Sequence, residues 1–426
     1  MSSFAELGLE PRILDALTRT NILSPVQVQA EAIPPLLDGD DVVIEAPTGS
    51  GKTLAFLIPA AQGLLTSSGQ GPRVLVVTPT RELAVQIDAV WKSLSTGLRS
   101  ALLYGGVGYA TQTNDLKKGP DIVIGTPGRV LDMVGRKLVT LSRVEYLVLD
   151  EADEMLDAGF APDVERIMAM TYQPQTVLAS ATMPEWVSRM ITKHLQEPVR
   201  IKVAGPETAL LEHGLLKVER ADKLQVLNRL LRRHKGTAIV FGRTKHGVKK
   251  LNRDLKALGH DSVELQGNLS QGARDKTMET FRDQRADILV ATNVAARGLD
   301  ISHVGLVINF ELPDTAQWMT HRIGRTARMG NEGRALTMVT PEDMPNWSKL
   351  RRQGAPELPE LDAEHLLAEG GWRYVTRGVV HNGHQGSTDK PAPAAHAGSG
   401  NGTGNPAGAP RRRRRSRGRG RPTAAA

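Results

Sequence analysis

Residues 42–53 read VVIEAPTGSGKT. Val42, Val43 and Ile44 are β-branched and apolar in an unbroken run, which suits a strand buried on both faces of a parallel sheet. The chain then loosens into Ala46, Pro47, Thr48, Gly49, Ser50 and Gly51, followed by Lys52 and Thr53. Glycines let backbone amides close on phosphate oxygens, a lysine serves the β- and γ-phosphates, and a hydroxyl at the helix start serves Mg²⁺. Ala46 stands where the strict phosphate-loop pattern has Gly. The order strand, loop, helix predicts an α/β sheet that binds a nucleoside triphosphate.

Such a loop needs a carboxylate for Mg²⁺ at the end of a neighbouring strand. The stretch 146–156, YLVLDEADEML, supplies one: four apolar residues end in Asp150, Glu151, Asp153 and Glu154. Crowded carboxylates repel one another and lose hydration, a cost that a cation offsets. Asp150 is placed to hold Mg²⁺, partly through water, together with Thr53. Glu151 can orient and deprotonate an attacking water. Taken alone, the stretch could equally be a solvated acidic turn.

Working outward, short apolar runs alternate with longer helix-compatible segments. The first series of predicted strands is 41–46, 74–78, 101–104, 122–125, 146–150 and 176–180. The second is 237–241, 262–265, 287–291, 305–309 and 335–339. This alternation implies βαβ units, hence two parallel-sheet α/β domains in tandem. Residues 204–214, AGPETALLEHG, read as the linker between them. Beyond Thr340 only 362–369 has a helical pattern, ended by Gly370-Gly371.

The chain has 426 residues and no cysteine, which excludes disulfides, thiolate metal sites and thiol nucleophiles. A reducing cytoplasm is the expected location. No apolar run approaches the roughly 18–20 residues that span a bilayer, and no membrane role is expected. Of 54 basic and 46 acidic residues, nine basic (Lys390 and eight arginines) and one acidic (Asp389) follow residue 380. The net charge of +8 therefore belongs wholly to the tail, and the body is balanced. The tail ends in RRRRRSRGRGRP, residues 411–422. It cannot bury enough apolar surface to fold and is expected to be disordered. It has no interleaved aromatics, so it should bind nucleic-acid phosphates nonspecifically and salt-sensitively.

Asp150-Glu151-Ala152-Asp153 spells DEAD, and the chain resembles the DEAD-box ATP-dependent RNA helicases of helicase superfamily 2 over roughly residues 4–340. The resemblance implies two RecA-like domains, with ATP and Mg²⁺ as ligands and single-stranded RNA and short duplexes as partners. It divides the chain into an adenine-recognition segment (1–32), an ATP-binding domain (33–203), a linker (204–214) and a C-terminal helicase domain (215–355). A short appendage (356–380) and the basic tail (381–426) follow.

The resemblance also assigns residues. Phe4 and Gln29 match the adenine-reading motif, with Ile22 and Val26 departing from its usual residues. Pro79, Thr80 and Arg81 of PTRELA, Gly106 of the GG pair, and Thr126, Pro127, Gly128 and Arg129 of TPGR form one side of an RNA track. Arg243 and Gly267 contribute from the second domain. Thr292 and Gly298 of ATNVAARGLD lie near the RNA backbone and Asp300 near the ribose of ATP, with Asn293 where Asp is frequent. Ser180 and Thr182 of the SAT motif couple closure to strand separation, with His321 and Arg322. Arg325 and Arg328 are the implied arginine fingers, and Ala327 replaces a usual Gly. Arg325 is far from Asp150 in sequence, so the ATP site is complete only when two domains meet.

The expected function is RNA-stimulated ATP hydrolysis that drives closure and local unwinding. Two other readings stay open: an ATP-gated RNA clamp or assembly platform without unwinding, and a DNA-directed helicase of the wider superfamily.

Overall fold

The computed structural model describes residues 3–47, 49–203, 211–293, 304–326, 332–369, 372 and 374–375. Seven strands form the first sheet: β1 (Val42–Glu45), β2 (Val74–Val77), β3 (Ser100–Leu103), β4 (Ile122–Gly125), β5 (Tyr146–Asp150), β6 (Gln175–Ser180) and β7 (Val199–Lys202). Their order is β3-β4-β2-β5-β6-β1-β7, and every pairing is parallel. Six more build the second: β8 (Leu211–Lys217), β9 (Thr237–Gly242), β10 (Ser262–Leu265), β11 (Ile288–Thr292), β12 (Val304–Asn309) and β13 (Gly333–Val339). The order there is β10-β11-β9-β12-β13-β8, again wholly parallel.

Side chains alternate across each strand, so an unbroken apolar run feeds a core on both faces. In the first sheet Ile44, Val74, Val76 and Val148 enter one core, and Val43, Leu75, Leu147 and Leu149 the other. In the second, Ile239, Phe241 and Val307 face one side while Val240, Val290 and Ile308 face the other. Two doubly covered parallel sheets in tandem are the architecture expected from the sequence. All eleven predicted strands are present, with ends shifted by at most two residues.

Two strands escaped the sequence reading. β7 reads VRIK and is exposed at three of its four positions, so it carries no apolar run. β8 corrects the predicted linker, whose last four residues, 211–214, are already strand. Its interior holds Gly214. A Cβ there would collide with the side chain of Leu361, so the glycine marks a close approach. That contact also clarifies the appendage. Glu360 forms a parallel bridge to Leu215 and Leu361 an antiparallel one to Tyr374. Leu361 and Leu366 are buried in the second domain's core, and the predicted helix is present as Ala363–Glu369. The tail from residue 381 lies outside the described residues.

Candidate active site and nucleic-acid interface

The phosphate loop leaves β1 and enters the helix Lys52–Thr66. Gly49 and Gly51 have φ of 86° and 97°, conformations that L side chains resist. A Cβ on Gly51 would also lie 2.8 Å from Val26 Cγ2. Lys52 is 8 % exposed, and its Nζ donates to the carbonyls of Ala46 (2.6 Å) and Pro47 (2.9 Å). The amide N–H of Ala46 donates to the carbonyl of Ser180, tying the loop to β6 (3.1 Å). Ser50 Oγ is buried without a hydrogen-bond partner among the described residues. Thr53 begins the helix beside Lys52, and Thr48 lies outside the described residues.

Phe4 and Gln29 are both buried, Phe4 in the first domain's apolar core. Both ends of the Gln29 amide are engaged by the chain itself. Its Oε1 accepts the N–H of Val26 and its Nε2 donates to the carbonyl of Gly51, each at 3.1 Å.

Asp150 ends β5 and Glu151 follows it, both buried. The sheet order corrects one expectation: β6 lies between β1 and β5, so Asp150 is two strands from the phosphate loop rather than on the neighbouring one. The loop and the carboxylates thus flank the end of β6, where Ser180 and Thr182 sit. Burial pushes the Asp150 carboxyl up to about 7, and the adjacent Glu151 charge adds to this while Lys52 opposes it. Glu151 adopts φ 52° and ψ 53°, a left-handed conformation uncommon for a non-glycine residue and concentrated at functional sites. Its Oε2 is buried without a hydrogen-bond partner among the described residues.

Asp153 is the centre of the surrounding network. Its Oδ2 accepts the amide (3.0 Å) and hydroxyl (2.7 Å) of Thr182, and its own N–H donates to Ser180 Oγ (3.2 Å). From the second domain, Gln317 Nε2 donates to Thr182 Oγ1 at 3.1 Å and to Asp153 Oδ2 at 3.4 Å. His321 Nε2 lies 3.7 Å from Asp153, and its Nδ1 lies 3.4 Å from Glu154 Oε1. Burial would raise the Asp153 carboxyl, but His321, Thr182 and Ser180 together hold it at about 2. Arg325, 4 % exposed, places Nη2 3.9 Å from Glu154. Arg328, Gly298 and Asp300 lie outside the described residues.

Arg322, expected to help couple the domains, bonds within the second domain. It is buried inside the second domain, donating to Asn293 Oδ1 (2.6 Å), Asn309 Oδ1 (3.0 Å) and the carbonyl of Glu311 (2.6 Å). Its guanidinium also lies 5.0 Å from the Phe241 ring centroid. Burial pulls its pKa down to about 9.

A cavity of about 800 Å³ opens between the C-terminal ends of the two sheets. Pro79, Thr80, Arg81, Thr126, Gly128 and Arg129 line one wall, and Arg243, Gly267 and Thr292 the other. Among the predicted track residues, Gly106 and Pro127 do not line it. Gly106 has φ 76°, and a Cβ there would strike the Arg81 guanidinium, so it makes room for that side chain. Arg243 is paired with Asp314 at 3.0 Å.

The sequence reading missed several members. Asp153 and Glu154 were in view as letters of the acidic stretch, but spacing alone gave them no role. Gln317, Trp318 and Phe160 carried no motif signal, yet Gln317 joins the Asp153 network and the two aromatics line the cavity.

Comparison with known proteins decides the family. Residues 26–190 match the DEAD/DEAH box helicase model and 222–330 the helicase conserved C-terminal domain. The chain belongs to the DEAD-box family of ATP-dependent RNA helicases. It is 41 % identical to the ATP-dependent RNA helicase CshA of Listeria monocytogenes, across 81 % of this chain and 67 % of that one. A Bacillus cereus DEAD-box ATP-dependent RNA helicase CshA is 40 % identical, across 86 % of this chain and 71 % of its own. Among solved structures, S. cerevisiae Dbp5 bound to RNA and ADP BeF3 superposes with a TM-score of 0.75 at 30 % identity, over 86 % of this chain and 97 % of that one. The DEAD-box fold is therefore the two-sheet architecture described above. No described helix is long and apolar enough to cross a membrane.

Proposed function

We propose that this DEAD-box protein couples RNA-stimulated ATP hydrolysis to closure of its two domains, and that closure separates short RNA duplexes or remodels RNA–protein assemblies. The observation that carries this reading is the Asp153 network. Asp153 follows Glu151 by two residues, is bonded to Thr182, and is reached by Gln317 of the second domain. A shift of the second domain therefore reaches the hydrolytic helix directly.

In this reading the loop Ala46–Thr53 holds the phosphates, with Lys52 on the β- and γ-phosphates. Asp300 serves the ribose and Phe4 the adenine end, while Gln29, bonded to Val26 and Gly51, braces the phosphate loop. Thr53 and Asp150 suit Mg²⁺, since both offer hard oxygen donors. No cluster of three or more His, Cys, Asp or Glu side chains forms a metal cage among the described residues. Bound there, Mg²⁺ supplies charge neutralisation at the phosphates. Glu151 orients and deprotonates the attacking water through its unpartnered Oε2. Arg325 and Arg328 stabilise charge on the transferred phosphoryl group. RNA runs through the interdomain cavity, held by Arg81, Arg129, Arg243 and the strand-end glycines, and the basic tail adds nonspecific affinity. The cysteine-free composition fits action in the cytoplasm.

The test is steady-state ATP hydrolysis with and without single-stranded RNA, alongside displacement of a short labelled duplex. Stimulation with ATP-dependent displacement is expected. Stimulation without displacement would favour an ATP-gated clamp, and hydrolysis indifferent to RNA would overturn the reading.

A further inference from the structure

Arg129, one of the cavity's arginines, is only 9 % exposed, yet its charge is held by little that is anionic. Its Nη2 donates to the carbonyl of Val107 at 3.1 Å, and its Nε lies 3.8 Å from Asp132, too far for a hydrogen bond. Its Nη1 is buried and has no partner among the described residues. An ion pair that long leaves most of the guanidinium to be held by something else.

The holder is an aromatic ring. Tyr109 opens the helix Tyr109–Lys117, and the Arg129 guanidinium lies over its ring at 4.5 Å from the centroid. Arg136 lies over the same ring at 4.2 Å. Arg129 and Arg136 are seven residues apart along the helix Pro127–Gly135 and its C-cap, about 10 Å along the axis. The two guanidiniums thus converge on one ring from opposite ends of the helix. Asp132, between them in sequence, bonds Arg136 Nε at 2.9 Å and lies 3.8 Å from Arg129 Nε. One carboxylate therefore serves two arginines, and the cluster keeps a net positive charge beside the cavity.

We propose that Tyr109 is a positioning residue for RNA. Resting on the proposed helicase function, it stacks Arg129 in place so that its guanidinium, at the cavity wall, faces the phosphates of the bound strand. The quadrupole of the ring attracts the cation without neutralising it, whereas a carboxylate in the same place would compete with the phosphate for its N–H groups. Tyr109 need not touch RNA, because its effect passes through Arg129. Tyr109→Leu keeps apolar bulk and removes the ring face, and Tyr109→Phe keeps the face and removes only the hydroxyl.

The experiment measures the RNA concentration that half-saturates ATP hydrolysis, and the rate at saturating RNA, at one fixed salt concentration. Tyr109→Leu is expected to raise the half-saturating concentration about five- to tenfold while changing the saturated rate by less than about twofold. Tyr109→Phe is expected to restore most of the affinity. Combining Tyr109→Leu with Arg129→Ala should add little to Arg129→Ala alone, because the ring would have nothing left to position. Unchanged affinity in Tyr109→Leu, full additivity in the double variant, or a loss confined to the saturated rate would each overturn the proposal. Failure of the helicase reading is distinct: the unaltered protein would show no RNA-dependent hydrolysis, and direct binding of labelled RNA would be insensitive to Arg129→Ala.

Discussion

Arg274, on the second domain's helix Gln271–Arg282, places both Nε and Nη2 on one oxygen of Glu82 in the first domain, at 2.9 and 2.6 Å. The side chains are 13 % and 14 % exposed, so the pair is largely shielded from water. Beside it, Arg81 Nη1 donates to Gln271 Oε1 at 2.5 Å. These contacts exist only while the domains are together.

Removing one partner of a shielded pair leaves the other charge without its counterpart, at about 2–5 kcal/mol. Arg274→Ala should therefore shift the domains toward separation, with the thermal stability of each domain little changed. The chain contains no cysteine, so one introduced on each domain gives a clean dye pair for energy transfer. A lower closed fraction with ATP analogue and RNA is expected, and Glu82→Gln should add little to it. Additive losses would show that the two side chains act separately.

For Glu151→Gln, ATP and RNA binding should persist while hydrolysis falls about 10²–10⁴-fold, the usual worth of a positioned general base. Asp150 remains intact in this variant, so Mg²⁺-dependent nucleotide binding is expected to survive. Equal loss of binding and turnover would remove Glu151 from the proposed role.

Arg322 offers a route to greater stability. It is 1 % exposed, and among the described residues its hydrogen-bond acceptors are neutral and its Nη2 has no partner. Asn293→Asp would put a carboxylate on an existing 2.6 Å contact. A charge-assisted bond in place of a neutral one should contribute about 1 kcal/mol, and so raise the second domain's melting temperature by about 2–4 °C. An unchanged or lower midpoint would mean that burying the new carboxylate costs as much as the pairing gains.

The strands and the phosphate loop were legible in the sequence because unbroken apolar runs and glycine spacing are local signals. β5 and β10 match residue for residue. What escaped depends on partners distant in the chain. Gly214 looks like linker until Leu361, nearly 150 residues later, packs against it. Asp153 is one more acidic letter until Gln317 and His321 arrive from the other domain. Tyr109 has no motif at all, and only the fold brings two arginines onto its ring.

Acid should loosen the second domain before the first. His213, on β8, is held at about 4 by burial, below the ordinary 6.5. Burial also lowers His234 and His260 in the same domain. Between pH 6.5 and 4 the unfolded chain takes up a proton that folded His213 refuses, so stability falls as pH falls through that window. Above it His213 contributes nothing to the pH dependence. The effect is at most about 3 kcal/mol. Denaturant melts across this range should flatten in His213→Asn, and an unchanged slope would assign the dependence to other groups.

Gln29 yields a prediction that separates two roles for one amide. Both of its ends are engaged by the chain, Oε1 by the Val26 amide and Nε2 by the Gly51 carbonyl. Gly51 is the residue from which the phosphate-binding helix starts, and its left-handed φ of 97° is specific to the loop's shape. In this geometry Gln29 braces the phosphate loop, a task indifferent to which base the nucleotide carries. Losing two hydrogen bonds of about 1 kcal/mol each should raise the KM for nucleotide about tenfold or more in Gln29→Ala. The rise should be the same for ATP and GTP. A glutamine that instead read adenine would turn its amide outward when ATP binds, and its loss would raise the KM for ATP alone and erase any preference over GTP. Parallel measurements with the two nucleotides decide between bracing and reading, because only reading depends on the exocyclic groups in which adenine and guanine differ.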